Sequence, residues 1–504
     1  MPLAQVFSRA QEGVKSTEVC VEVHITNGLP ALSIVGMPEI AVRESKDRVR
    51  GALINSQFEF PARRITINLA PADLPKEGGR FDLAIAIGIL AASGQIPKEA
   101  LQNYEFAGEL ALSGEIRPVR SIIPMSVACK HANRKLICPA DNASEAALVN
   151  DATVYPAKHL LEVCAHLNNI QLLEPSSPPD WSDHISHSSD MSEVQGQAHA
   201  KRALEIAAAG GHSLLMIGPP GTGKTMLSSR LPGILPGMSE HEALETASIA
   251  SISGQGMQAK DWKQRPFRAP HHTASGVALV GGGSIPRPGE ISLAHNGIMF
   301  LDELPEFDRK VLEVLREPLE SGRIIISRAA RQAEFPAKFQ LIAAMNPCPC
   351  GYLGDPRGRC HCTGDQVKRY RQKISGPLMD RIDMHIEVPA LPMHELKTKP
   401  DQKIESSSHI RQRVEKSRQV QLARSGAINA QLNTQDIKDN CQLNTSDQTL
   451  IEQAMNKLGL SMRAHQKILK LSRTIADLDE QTHIQTTHLT EALSYRQLDR
   501  NPAS

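Results

Sequence analysis

Apolar and polar positions alternate differently along three stretches of the chain, and each pattern predicts its own kind of element. In the first stretch, Cys20-Val-Glu-Val-His-Ile25, Ala31-Leu-Ser-Ile-Val35 and Arg64-Ile-Thr-Ile-Asn-Leu69 alternate with the period of half-buried strands. Glu44 to Leu53 and Phe81 to Ser93 read as helices, so residues 1–173 are expected to form an α+β domain. From Val194 to Pro389 apolar strand-like runs alternate with helical ones, the pattern of a parallel sheet with crossover helices, and 191–396 is expected to be an α/β domain. In the tail, Ile451, Ala454, Met455 and Leu458, then Ile468, Leu469, Ser472, Ile475 and Ala476, recur at helical spacing, which predicts a helical domain over 409–504. Two polar stretches rich in Ser, Pro and charge, 174–190 and 397–408, have too few apolar residues to bury and read as linkers.

Length agrees with this division, because 504 residues are too many for one core. Charge narrows the partners: 56 Lys and Arg against 55 Asp and Glu leave a net charge of +1, so a polyanion must be met by a local patch. No apolar run reaches the roughly 18 residues of a membrane span, and Met1-Pro-Leu-Ala-Gln lacks a secretion signal. A cytoplasmic protein that avoids membranes is expected. Of nine cysteines, Cys20, Cys129, Cys138, Cys164 and Cys441 are scattered, as suits a reducing compartment.

The other four cluster as Cys348-Pro-Cys350 and Cys360-His-Cys362. Four thiolates in paired spacing suit tetrahedral Zn²⁺, with His361 as an alternative ligand. The strongest chemical signal is Gly218-Pro219-Pro220-Gly221-Thr222-Gly223-Lys224-Thr225, directly behind the apolar run Leu214-Leu-Met-Ile217. A strand feeding such a turn and then a helix wraps backbone N–H groups around a triphosphate, with Lys224 reaching its outer phosphates. Gly297-Ile-Met-Phe-Leu-Asp-Glu303 reads as a buried strand ending in two carboxylates, Asp302 to hold Mg²⁺ with Thr225 and Glu303 to polarise the attacking water. A further strand, Phe339 to Met345, ends at Asn346, an amide placed to touch a γ-phosphate or orient water.

Arg265-Pro-Phe-Arg-Ala-Pro-His-His-Thr-Ala-Ser275 and Val280 to Gly289 are rich in Gly and Pro and are expected to form no regular element. Gly322 to Phe335 reads as a hairpin with a basic tip carrying Arg328 and Arg331, a charge pattern suited to phosphate backbones.

Together, Gly218 to Thr225, Phe300 to Glu303, Asn346 and Met379-Asp-Arg-Ile-Asp383 resemble the magnesium-chelatase-like branch of the AAA+ ATPases. The resemblance implies that Asn346 is sensor 1, that Arg381 is a finger reaching a neighbouring subunit's γ-phosphate, and that Arg463 is sensor 2 on a helical lid, with Arg473 as second choice. Val194 to Gln197 and Lys201 to Leu204 match the segment flanking adenine in such enzymes, which favours ATP. A finger acting between subunits implies a closed ring, a homohexamer, with the hairpin facing its pore and DNA as partner.

Pro75 to Arg80 and Phe106 to Val119 resemble the proteolytic domain of Lon, a fold of the ribosomal protein S5 domain 2-like class. Arg80 stands where the Lon serine would fall and Ile123 where its lysine would, so peptide hydrolysis is not expected. Over nearly its whole length the chain resembles the bacterial ComM/YifB family. That resemblance implies ATP-driven unwinding of forked or branched DNA, independent of sequence, and branch migration during integration of transforming DNA. The alternative is a chelatase-type ATPase that remodels a protein partner.

Overall fold

A computed structural model describes residues 3–177, 189–256, 261–283, 286–328, 331–355, 357–390 and 405–496; most of both expected linkers lies outside them. The chain folds as two units, Met1–His184 with Glu240–Trp262, and Ile185–Ser239 with Lys263–Ser504.

The first unit is built on strands β1 (Leu3–Glu12), β2 (Lys15–Thr26), β3 (Ala31–Val35), β4 (Arg64–Ala70), β5 (Tyr104–Phe106), β6 (Lys135–Pro139) and β7 (Val154–Ala157). They form one mixed sheet in the order β3-β4-β2-β1-β5-β6-β7. The pleat explains the alternation: Val19, Val21, Val23 and Ile25 of β2 all face the core. The expected helices form at Ser45–Asn55 and Asp82–Ala92, the second buried along its entire length. β1 had no clear signal in the pattern, because it buries Ser8 and Arg9 among its apolar residues. Glu105 is the reason Arg9 can be there, accepting from Nε and Nη2 at 2.7 Å each. Arg80 donates to the Arg120 and Arg9 carbonyls, and Ile123 is fully buried.

Residues 240–262 lie within the stretch patterned as the α/β domain, yet they pack with the first unit. In the helix Glu240–Ser253, Ala247 shares a core with Ile122, Met125 and Leu148, and the Ser121 N–H donates to the Ser251 carbonyl at 3.3 Å.

The second unit contains β8 (Leu214–Ile217), β9 (Phe267–Arg268), β10 (Ile298–Leu301), β11 (Arg323–Arg328), β12 (Arg331–Pro336), β13 (Gln340–Met345) and β14 (Met384–Glu387). Its sheet runs β9-β10-β13-β8-β14, parallel throughout, as the alternating pattern predicted. One expectation is corrected here. The segments read as irregular contribute the edge strand β9 and a short antiparallel pair, Gly281–Gly282 with Arg287–Pro288. Proline is compatible with this edge because Pro266 acts only as an acceptor, its carbonyl taking the Ile298 N–H at 2.8 Å. β11 and β12 pair as an antiparallel hairpin with Arg328 opposite Arg331; the side chains of these two arginines lie outside the described residues.

The carboxy-terminal region is helical, including Ser407–Ser425, Thr445–Leu458, Met462–Leu478 and Thr486–Ser494. Its buried polar centre is Asp477, 1% exposed, which receives Arg424 at 2.7 and 2.8 Å, Arg473 at 3.1 Å and the Asn429 amide at 2.8 Å. Removing this carboxylate leaves two guanidinium groups without their counter-charge. Asp477→Ala is expected to lower unfolding stability by about 3–5 kcal/mol, read by chemical denaturation of the full chain, and Asp477→Asn to lose less.

Candidate nucleotide site and cysteine cluster

Register assembles the site. Ile217 lies opposite Met345 and Leu301 opposite Ala343, so the residues following β8, β10 and β13 emerge side by side at the carboxyl ends of parallel strands. The Gly218 N–H donates to the Met345 carbonyl at 3.2 Å. Only glycine fits at 218, where a Cβ would stand 2.2 Å from the Val388 carbonyl oxygen.

The turn leads into the helix Lys224–Ser229. Lys224 is 8% exposed, and its ammonium donates to the carbonyls of Gly218 at 2.7 Å and Pro219 at 2.8 Å and to Asn346 Oδ1 at 3.3 Å. All three ammonium donors are thus met by neutral oxygens. Burial lowers the Lys224 pKa, against the opposing charges of Asp302 and Glu303. Thr225 Oγ1 donates to Asp302 Oδ2 at 2.6 Å, and the Asp302 Oδ1 atom accepts the Glu303 N–H at 2.9 Å. The structure therefore brings Lys224, Thr225, Asp302, Glu303 and Asn346 together.

Glu303 has left-handed backbone, φ 52°, and its carboxylate meets His272 Nδ1 at 3.1 Å. His271 lies against His272 with ring centroids 4.1 Å apart, and Phe307 meets His272 edge-on. The pairing of His272 with Glu303 escaped the sequence reading. Its one available signal was the His-His pair between a proline and a threonine in the segment that proves to continue β9.

Arg381 and Arg463 meet elsewhere, on a carboxylate that sequence reasoning also missed. Glu320 Oε1 accepts Arg381 at 2.6 Å and Arg463 at 3.0 Å, while Arg381 donates further to the Pro377 carbonyl at 2.7 Å. Arg473, by contrast, is buried in the Asp477 network and donates to the Gln481 and Thr482 carbonyls, which occupies it structurally. Asp383 joins the carboxy-terminal helical region to the sheet. It accepts Lys467 at 2.9 Å and the Ser213 N–H at 2.9 Å, and although burial opposes its charge, Lys467 and His212 hold its pKa well below the usual carboxylate range.

The cysteine loop begins two residues after Asn346, and the Sγ atoms of Cys348, Cys350, Cys360 and Cys362 all lie within 4.8 Å of one another. Cys350 accepts the Tyr352 N–H, which pulls its pKa down to about 6. The loop also leans on the phosphate loop: a Cβ at Gly351, whose φ is 83°, would stand 2.9 Å from Pro220 Cδ.

A parallel five-stranded sheet, a phosphate loop at the carboxyl end of one of its strands, paired carboxylates on another and a helical carboxy-terminal region define a magnesium-chelatase-like AAA+ ATPase. The family described as magnesium chelatase, subunit ChlI, matches residues 190–396; subunit ChlI of Mg-chelatase matches 21–142 and the ChlI C-terminal family 404–496. Competence protein ComM of Haemophilus influenzae is 53% identical over 504 residues, covering 99% of this chain and 98% of that protein. YifB of Escherichia coli is 50% identical over 501 residues, with 99% and 98% covered. The chain belongs to the ComM/YifB family. Among the described residues no helix is long and apolar enough to cross a membrane.

Proposed function

We propose that this protein is a homohexameric ring helicase that couples ATP hydrolysis to DNA unwinding and branch migration during integration of transforming DNA. The observation that supports it most is the convergence of Lys224, Thr225, Asp302, Glu303 and Asn346, in a chain similar over its full length to a competence protein. Bound MgATP supplies the reactive γ-phosphoryl group. Lys224 exchanges its carbonyl partners for phosphate oxygens, and Thr225 with Asp302 is the pair suited to the metal. Glu303, oriented by His272, takes the attacking water. Arg381 leaves Glu320 to reach the neighbouring subunit's nucleotide, and Arg463 senses its own subunit's nucleotide from the lid. The amino-terminal unit is, on this reading, a Lon-type fold that has kept its scaffold without a nucleophile and base, since Arg80 and Ile123 occupy those positions.

The cysteine cluster fits Zn²⁺. Tetrahedral Zn–S bonds of about 2.3 Å place sulfurs about 3.8 Å apart, and the observed separations are 3.4, 3.8 and 3.7 Å for Cys348–Cys350, Cys348–Cys360 and Cys350–Cys360.

For the nucleotide site, Lys224→Ala is expected to abolish binding of a fluorescent ATP analogue. Glu303→Gln should bind it normally while turnover falls by about 10²–10⁴, the usual contribution of a general base; wild-type turnover in Glu303→Gln would remove the glutamate from the mechanism. About one zinc per chain is expected from elemental analysis of protein purified without chelator, and a Cys348→Ser/Cys360→Ser variant should lose it. For DNA, Arg328→Ala/Arg331→Ala should abolish unwinding of a fork while leaving basal hydrolysis and ring assembly intact. A wild-type protein that neither binds DNA nor hydrolyses ATP faster with it would instead make protein remodelling the better reading.

A further inference from the structure

Between the cysteine pairs and Arg381 the chain concentrates positive charge. Residues 355–373 carry Arg357, Arg359, Lys368, Arg369, Arg371 and Lys373 against only Asp355 and Asp365, an excess of four in a chain whose whole excess is one. Two of these cations are already matched. Arg359 pairs with Asp355 and stacks over the Tyr352 ring at 4.1 Å, and Lys373 pairs with Glu306 at 3.2 Å. Arg357, Lys368, Arg369 and Arg371 are exposed, and Lys368 and Arg369 have no ion pair with any described residue, although Asp365 lies one helical turn before them.

These side chains sit on a firmly held base. The helix Gly364–Arg371 starts two residues after Cys362 with a capping box between Thr363 and Gln366, at 3.0 and 3.3 Å. Tyr370 buries its inner face, and Arg371 Nε donates to the Pro347 carbonyl at 3.4 Å, returning the helix end to the start of the cysteine loop. Ordered, like-charged, unpaired side chains repel one another, and a phosphate row that supplies counter-charge at regular intervals relieves that repulsion.

We propose that the exposed face of this cysteine-anchored helix, carried by Lys368 and Arg369 with Arg371 one turn beyond Lys368, is a second grip on the nucleic-acid phosphate backbone, separate from the hairpin of Arg328 and Arg331. The inference rests on DNA being the partner. Gly351 of the loop that anchors this helix abuts Pro220 of the phosphate loop.

The test compares the full-length wild type with Lys368→Gln/Arg369→Gln, using fluorescein-labelled single-stranded and duplex DNA across a KCl series, a fluorescent ATP analogue, and sedimentation. Loss of two phosphate contacts should weaken DNA binding about tenfold or more at moderate salt and reduce the slope of log affinity on log salt by about two, with nucleotide affinity and ring assembly retained. Wild-type binding with an unaltered variant affinity and slope would overturn this grip alone. Wild type that binds no DNA would overturn both this grip and the function it rests on. A variant that assembles only at higher protein concentration, yet then binds DNA with wild-type affinity and slope, would make the face a contact between subunits instead.

Discussion

The four-residue ladder between β8 and β13 fixes everything that faces the nucleotide. Because Ile217 lies opposite Met345, the phosphate loop and Asn346 leave the sheet at the same height, and the β10 register then brings Asp302 beside Thr225. A slip of one residue would exchange the side chains between the two buried faces as well as misalign these groups, so the same packing that stabilises the strands also sets the chemistry. All four residues of β8 and of β10 and all six of β13 are buried, so each side chain packs on its own side of the sheet.

Local signals explain what could be read from sequence. The phosphate loop, Asp302 and Asn346 each follow an apolar run, and parallel pairing of such runs brings their ends together without further information. The cysteines gather because Cys360 follows Cys348 by twelve positions, a loop short enough to close cheaply. What stayed hidden depends on partners far along the chain. β1 buries Arg9 only because Glu105, 96 residues later, receives it. Glu320 looks like any helix carboxylate until Arg381 and Arg463 arrive on it, and Arg473 could be told from Arg463 only once Asp477 and the Gln481 and Thr482 carbonyls surrounded it. The proline-rich segment misled for the opposite reason: composition argued against a strand, but an edge position with a carbonyl acceptor tolerates proline.

Glu320 holds two arginines on one carboxylate within a single chain. An anionic oxygen there gives each guanidinium its counter-charge, the part a phosphate oxygen would take on the function proposed above. On that function, Glu320 and a nucleotide would compete for the same cations, and the balance between them would link assembly to nucleotide state.

The chain crosses between its two units three times, at 184–185, 239–240 and 262–263. Neither unit is therefore an interchangeable cassette. A fusion or truncation that replaced residues 1–184 would strip the helix Glu240–Ser253 of the core that buries Ala247 and packs against Leu244, and would leave the nucleotide unit with an unmatched apolar surface. A change to the core of the first unit therefore bears on a segment that, in linear order, sits inside the second.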